Sequence, residues 1–283
     1  MPRLRDEILD CVVYLYCSYH EADEGIAIGG SGFALGMPCE SLPGAAHVYA
    51  VTNKHVVENG AIHVRLNTRD GKKVLMQAQK SDWVISATDD LAVVPISSMP
   101  ATSVSTKALP IDCLVTKEMV TQYGIGVGDE VAMLGRFINR EGHQKNVPTV
   151  RFGHIAQMPD APIETDTGVT QEEAFLSEVH SIGGYSGSPV LIIPNPTYAR
   201  AGEALPADKG LLLGVDFCHL QDWQNAYDDR DHKLQNIKVP FNSGMAGVIP
   251  AWRLRDLLMS ERPRDLRQMA EEQAARKLRG VER

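Results

Sequence analysis

The hydrophobic residues of this chain fall mostly in short runs that are separated by turn-forming residues. Short runs rich in β-branched and aromatic residues, bounded by Gly, Pro, Asn and Asp, are typical of β-strands. We predict a first strand through Val12, Val13, Tyr14 and Tyr16, and further strands over residues 47–53, 62–66, 91–96, 130–135, 188–193 and 210–217. Helical periodicity is weak before residue 250. The pattern therefore predicts an all-β barrel or sandwich rather than alternating strands and helices.

The C-terminal segment has helical periodicity instead. One face of a short helix is predicted to carry Trp252, Leu254, Leu257 and Leu258. Pro263 interrupts that pattern and is suited to the start of a second helix, since proline is favoured in the first turn. The second helix has a modest apolar stripe formed by Leu266, Met269, Ala270, Gln273 and Leu278. We expect these helices to pack on their own domain.

Two stretches have no clear periodicity. Residues 194–209 are predicted to form an exposed loop, and residues 219–243 a long polar connection rich in Asp and Asn. Long loops in a compact domain are often binding elements or lids.

The composition excludes several classes of protein. A hydrophobic content of 43% and a charged content of 23% are ordinary for a globular domain, and the net charge of -8 argues against nucleic-acid binding. The number of cysteines is odd and no CxxC pair occurs, which indicates reduced thiols rather than disulfides or a zinc site. We predict no metal and no cofactor. The five cysteines are Cys11, Cys17, Cys39, Cys113 and Cys218.

The N-terminus superficially resembles a signal peptide, because two arginines precede the apolar run 11–17. Asp6, Glu7 and Asp10 interrupt that pattern, and the run is too short to span a bilayer. We therefore predict a cytoplasmic protein without membrane attachment.

Three segments carry the residue types of nucleophilic catalysis. A hydroxyl nucleophile needs a nearby base and hydrogen-bond donors for the developing oxyanion. Ser186 lies in the glycine-rich segment GGYSGSPV at 183–190, where glycines permit a tight loop with backbone N–H groups turned inward. His55 lies in TNKHVV at 52–57, directly after a predicted strand. Asp90 lies in DDLAVV at 89–94, directly before one.

Together with GSGF at 30–33, these segments resemble the chymotrypsin-like peptidases, particularly the bacterial branch related to the high-temperature-requirement proteases. The resemblance covers most of residues 12–260, and the order His–Asp–Ser agrees with it. It implies one peptidase domain of two six-stranded β-barrels. The first barrel is expected over about residues 10–125 and the second over about 126–250, with a C-terminal helical extension at 251–283.

The resemblance also implies the roles of individual residues. Ser186 would attack the peptide carbonyl, His55 would transfer the proton, and Asp90 would orient the imidazole. The backbone N–H groups of Gly184 and Ser186 match the oxyanion hole. Asp89 competes for the role of the acid, but the family pattern places the acid directly before the Leu-Ala pair, which selects Asp90.

Substrate specificity stays open at this point. By family position His180 lies near the base of the primary specificity pocket, and Phe217, Cys218 and His219 lie on the strand that pairs with substrate. His180 could favour an acidic side chain or serve as a wall of the pocket. The acidic residues Asp228, Asp229 and Asp231 would instead attract basic substrates.

The sequence departs from the family at two points. Tyr185 stands where secreted trypsin-like enzymes carry an aspartate, which argues against activation by a new N-terminus, and no peptide-binding module is expected after residue 250.

Two other functions compete with that of a peptidase. An α/β-hydrolase is disfavoured because Ser188 replaces the last glycine of its GxSxG elbow and the alternating helices are missing. The remaining alternative is a catalytically silent or partner-activated binding protein with the protease fold. The expected partners are a protein or peptide substrate and a regulatory protein.

Overall fold

The computed structural model describes residues 4–27, 29–96, 104–137, 142–165, 170–181, 183–194, 202–206, 210–227 and 232–281. Within these ranges no helix combines the length and the apolar character needed to cross a membrane.

The first half of the chain forms one sheet of eight strands. The strands are β1 (Val12–Tyr16), β2 (Gly30–Pro38), β3 (Ala46–Thr52), β4 (His63–Asn67), β5 (Lys73–Met76), β6 (Val84–Ile85), β7 (Ala92–Pro95) and β8 (Leu109–Pro110). Their order in the sheet is β5-β4-β1-β2-β3-β7-β6, and β8 pairs in parallel with β2. One face is filled by a cluster that includes Val13, Leu15, Ala50 and Trp83.

The second half forms a closed barrel of six strands and a separate pair of two-residue strands. The strands are β9 (Glu130–Gly135), β10 (Thr149–Gln157), β11 (Ile163–Glu164), β12 (Thr170–Gln171), β13 (Phe175–Glu178), β14 (Pro189–Ile192), β15 (Leu211–Tyr227) and β16 (Lys233–Pro250). The order in the barrel is β10-β13-β16-β15-β14-β9, and β11 pairs with β12 outside it.

Helices are few and mostly short. Within the described ranges, segments of 3-10 helix occur at Asp6–Cys11, Lys80–Asp82 and Ile111–Cys113. The α-helices are α1 (Tyr19–Glu24), α2 (Lys54–Glu58), α3 (Lys117–Gln122), α4 (Ala251–Met259) and α5 (Glu261–Val281).

The predicted all-β class with C-terminal helices is confirmed. Each predicted strand is present, and all match to within a few residues except the one predicted over 210–217, which extends to Tyr227. The second lobe is the expected six-stranded barrel. The first lobe has eight strands rather than six, because β6 and β8 are two-residue segments at the margin of the sheet. The implied boundaries of the two lobes stay a prediction.

The predicted polar connection at 219–243 is wrong in its conformation. Strands β15 and β16 extend through most of it as a long antiparallel hairpin, with Asp222 opposite Phe241 and Gln224 opposite Val239. This arm has no buried face, so polar and apolar residues are both exposed and the usual strand alternation is absent. Residues 228–231, which include the acidic Asp228, Asp229 and Asp231, lie outside the described residues, as does most of the predicted loop at 194–209.

The C-terminal helices confirm the predicted helical segment. The face of α4 that carries Trp252, Leu254 and Leu257 is buried. Helix α5 begins at Glu261, two residues before Pro263, so the proline lies in its first turn. Further along, α5 contacts the first sheet.

Candidate active site

His55 is held on a short helix at the end of a buried strand. Thr52 ends β3, Asn53 caps helix α2, and His55 lies in the first turn of that helix. Val56 and Val57 are buried and anchor the helix to the first sheet. The His55 side chain itself is 39% exposed, so a rigid element presents the imidazole to solvent.

Both carboxylate oxygens of Asp90 face His55. Oδ2 lies 2.6 Å from His55 Nδ1, and Oδ1 accepts the backbone N–H of His55 at 2.8 Å. Asn53 Nδ2 donates to the Asp90 carbonyl at 2.9 Å, which fixes the backbone of the acid. This arrangement favours the tautomer with its proton on Nδ1, which leaves Nε2 as the proton acceptor.

Asp89 occupies a different environment, although it is the neighbour of Asp90. Its carboxylate accepts two hydrogen bonds from the Arg253 guanidinium, at 2.9 and 3.0 Å. Burial on its own raises the pKa of Asp89, but the hydrogen bonds from Arg253, Gln171 and Thr88 outweigh it and lower the pKa. The structure therefore pairs Asp90 with His55 and Asp89 with Arg253.

Gln171 joins the two carboxylate segments to the second half of the chain. Its Nε2 donates to Asp89 Oδ1 at 2.8 Å, and its Oε1 accepts the backbone N–H of Asp90 at 3.2 Å. Gln171 is 2% exposed. Together Gln171 and Arg253 position the aspartate pair. Sequence reasoning missed both, since nothing in the local sequence signals contacts that span 81 and 164 residues.

Replacing Arg253 by alanine is expected to lower the free energy of unfolding by about 2 kcal/mol, because it removes a bidentate partner from a buried carboxylate. The matched control is Arg255→Ala, since Arg255 is exposed on the same helix. Urea unfolding measures both. Equal stability of the two variants would contradict the role of Arg253 as the partner of Asp89.

The same pair makes stability depend on pH. The folded pKa of Asp89 is below its ordinary value of 3.8, so the contribution of the pair to the free energy of unfolding is present above pH 3.8 and is lost as pH falls through the lower folded pKa.

Ser186 lies in the loop at 183–188, here called the serine loop, which hydrogen bonds hold against β2. Ser31 N–H donates to the Ser186 carbonyl at 2.9 Å, and Ser31 Oγ donates to the Gly184 carbonyl at 2.7 Å. Ser31 O in turn accepts from Thr52 Oγ1 at 2.8 Å. Ser31 thus connects the serine loop to the strand that leads into His55.

Two glycines permit this close approach. Gly187 has a φ of +87°, and a Cβ there would lie 2.2 Å from Ser31 O. A Cβ at Gly30 would lie 2.7 Å from Val56 Cγ1 and 3.5 Å from the Ser186 carbonyl oxygen. Helix α2 and the serine loop therefore approach each other on either side of Gly30.

The backbone N–H groups of Gly184 and Ser186 donate to no acceptor within the described part of the chain. Gly184 is buried and Ser186 is half-buried. Because buried N–H groups are almost always paired, two such donors beside a serine are suited to binding a ligand oxygen. Likewise, among the described residues no hydrogen bond joins the Ser186 hydroxyl to His55.

Tyr185 anchors the loop from inside the second barrel. It is fully buried, its hydroxyl lies 2.5 Å from Thr149 Oγ1, and the Arg151 guanidinium lies 5.1 Å from its ring centroid. The side chain therefore serves to fix the loop at the position where the sequence lacks the aspartate of secreted enzymes.

The predicted pocket residue His180 is exposed and lies beside β16. A Cβ added at Gly244 would be 4.0 Å from His180 Nδ1. Next to it, the Ser181 carbonyl accepts a hydrogen bond from Asn242 Nδ2. His180 is thus close to the base of the long hairpin, and its role in specificity stays a prediction.

The residues at 217–219, which are predicted to pair with substrate, differ in their exposure to solvent. Phe217 is 3% exposed and packs on Gly247, so its side chain belongs to the core. Cys218 and His219 are half-buried and pair with β16 on one side. On the other side, the register of β14 ends at Val215. Binding of an extended peptide to the backbone at 217–219 stays a prediction.

Asp216 is a fully buried carboxylate beside the serine loop. Its carbonyl accepts the Gly187 N–H at 2.9 Å, and its own N–H donates to the Ser188 carbonyl at 2.9 Å. Burial raises the pKa of Asp216 to about 8, and the hydrogen bond from Ser181 Oγ offsets this only in part. The Asp216 carboxyl is therefore mostly protonated, and so uncharged, below about pH 8.

The buried carboxyl predicts a pH-dependent stability. Between the ordinary pKa of 3.8 and the folded pKa of about 8, the unfolded chain binds fewer protons at Asp216 than the folded chain. The free energy of unfolding attributable to Asp216 therefore falls as pH rises through this window. In the Asp216→Asn variant, we expect the free energy of unfolding to fall less steeply between pH 3.8 and about 8, as measured by urea unfolding at several pH values. An identical slope in the variant and the unmodified protein would contradict this expectation.

Comparison with one solved structure supports the predicted fold. No family model matches the chain, and no curated protein does. Among solved structures it is similar to the MamO protease domain from Magnetospirillum magneticum in its apo form, with a TM-score of 0.54 and 18% identity over 91% of this chain and 100% of that one. It also matches the HtrA-type protease AlgW with decapeptide, with a TM-score of 0.44 and 20% identity over 81% of this chain and 51% of that one. The chain has the fold of a chymotrypsin-like protease domain.

Proposed function

We propose that this protein is a serine endopeptidase. The observation that carries the proposal is the contact between both oxygens of Asp90 and His55, on an element that faces the Ser186 loop across Gly30. A carboxylate that fixes one imidazole nitrogen and leaves the other as the proton acceptor is required for nucleophilic acyl transfer by a nearby serine.

In the proposed reaction, Ser186 Oγ attacks the carbonyl carbon of the scissile peptide while His55 Nε2 takes its proton. The imidazolium is stabilised by Asp90 and then protonates the leaving amine, which leaves an acyl-enzyme. Water, activated by the same nitrogen, hydrolyses the ester and restores Ser186.

The N–H groups of Gly184 and Ser186 stabilise the oxyanion of both tetrahedral intermediates. Loss of one such donor costs about 3–4 kcal/mol of transition-state stabilisation in comparable sites. Their lack of acceptors within the described residues supports this role.

Cleavage-site profiling with a peptide library tests the proposal. We expect cleavage at internal peptide bonds by the unmodified protein and none above background by His55→Ala. Cleavage by both proteins at the same bonds would point to a contaminating protease and would count against this site. The profile also decides between acidic preference through His180 and basic preference through the acidic residues near 228–231.

A second candidate is a binding protein that keeps the protease fold without catalysis or awaits a partner. The observation that favours it is the missing hydrogen bond between Ser186 and His55 among the described residues. Catalytic hydrogen bonds are often long in unliganded enzymes and tighten in the substrate complex, so we prefer the active enzyme. A regulatory protein partner, a cytoplasmic location and catalysis without a cofactor belong to the same proposal.

A further inference from the structure

Three metal-ligating side chains meet where α5 crosses the β2–β3 hairpin. Cys39 directly follows β2, His47 lies in β3, and Glu271 lies on α5. One donor atom from each lies within 4.8 Å of the other two. Glu271 is far from Cys39 and His47 in sequence. The expectation of no metal site, which was based on the absence of a CxxC pair, therefore does not take this cluster into account.

The cluster is sheltered and its carboxylate is oriented. The side chains of His47 and Glu271 are 12% and 16% exposed, and Cys39 is half-buried. Glu271 Oε1 accepts the N–H of Glu40 at 3.2 Å, and Oε2 accepts the N–H of Ser41 at 3.0 Å. Hydrogen bonds of this kind hold a ligand in place and are typical of the surroundings of metal sites.

The ligand types select the metal. A thiolate, an imidazole and a carboxylate together suit Zn²⁺, whereas Mg²⁺ and Ca²⁺ prefer oxygen ligands alone. Tetrahedral zinc with its usual bond lengths places ligand atoms about 3.5 Å apart, so side-chain shifts of about 1 Å would complete the geometry. Zinc sites with three protein ligands keep a fourth position for water.

A cluster without metal is the competing explanation. His47 Nε2 already lies 2.8 Å from Glu271 Oε1, and this pair alone would attach the helix to the hairpin. The Cys39 thiol also interacts with the Glu271 carboxylate, and its sulfur lies 3.6 Å from Ser41 Oγ. The two explanations therefore differ in whether Cys39 hydrogen-bonds to Glu271 as a thiol or binds a metal ion as a thiolate.

We propose that Cys39, His47 and Glu271 bind one zinc ion that fixes helix α5 to the β2–β3 hairpin. Binding replaces the hydrogen bond between His47 and Glu271 with two bonds to the metal, and the proton on His47 Nε2 moves to Nδ1 so that Nε2 can bind the metal. It also forms a bond to the Cys39 sulfur and releases the thiol proton to solvent.

Cobalt is a suitable probe, because Co²⁺ occupies zinc sites and gives a thiolate-to-metal absorption band. We expect the full-length protein to develop this band with one equivalent of Co²⁺, and Zn²⁺ to remove it. Glu271→Gln is expected to weaken binding tenfold or more, and Cys39→Ser to abolish the band. Cys17→Ser is the matched control, since Cys17 is an exposed thiol outside the cluster, and it should leave the band unchanged.

Absence of the band in the unmodified protein, or the same band in Cys39→Ser, would overturn the proposal. Should Cys39→Ser fail to fold, X-ray absorption of the zinc-loaded unmodified protein decides. The proposal requires one sulfur among the nearest ligands of zinc, and a shell of nitrogen and oxygen alone contradicts it. Because neither readout depends on peptide hydrolysis, the result is independent of the proposed protease activity.

Discussion

Replacing Ser186 by alanine is expected to lower kcat for peptide hydrolysis about 10⁶-fold, the size of effect seen when the nucleophile of such a triad is removed. The backbone donors at Gly184 and 186 remain in this variant. A residual acceleration of about 10³–10⁴ over water is therefore expected from oxyanion stabilisation and binding alone. Steady-state kinetics on a peptide taken from the cleavage profile measure the loss.

The matched control is Ser188→Ala, because it removes a hydroxyl from the same loop. Ser188 is fully buried, and its Oγ has no hydrogen-bond partner among the described residues. Loss of an unpaired buried hydroxyl should be neutral or slightly stabilising. Activity that falls equally in the two variants would mean that the loop, rather than the Ser186 hydroxyl, accounts for the effect.

Replacing Asp90 by asparagine is expected to lower kcat about 10⁴-fold with little change in structure. The amide keeps the shape of the carboxylate, but it cannot hold the imidazole in the required tautomer or stabilise the imidazolium. The loss should appear in kcat rather than in KM, since both carboxylate oxygens of Asp90 face His55.

The neighbouring Asp89→Asn variant separates the two acids. Asp89 faces Arg253 and Gln171, so its loss should lower the free energy of unfolding by about 2 kcal/mol. Its effect on kcat should be much smaller than that of Asp90→Asn. The reverse outcome, with Asp89 needed for turnover and Asp90 dispensable, would overturn the assignment of the acid.

The contact between His55 and Asp90 was expected because their segments match a known family in type and order, and the catalytic roles of these residues and of Ser186 stay a prediction. Asp90 precedes a buried strand, and His55 follows one. The residues that position them were not predicted. Gln171 and Arg253 act across 81 and 164 residues, and neither lies in a recognisable motif.

The long hairpin and the Cys39 cluster were missed for related reasons. Strand prediction depends on one face being buried, and the outer part of β15 and β16 leaves Trp223, Val239 and Phe241 exposed. The metal-ligand cluster depends on α5 returning to β3, so that Glu271 meets His47 across 224 residues. Contacts of this kind become visible only when the fold is known.

Covalent labelling by a fluorophosphonate, followed by intact mass and peptide mapping, tests directly whether Ser186 is an activated nucleophile. Such probes react with a serine only when a base and an oxyanion hole activate it. We expect one label per chain, located on Ser186, absent in Ser186→Ala and strongly reduced in His55→Ala. Labelling that persists unchanged in both variants, or a folded unmodified protein that takes up no label, would contradict this expectation.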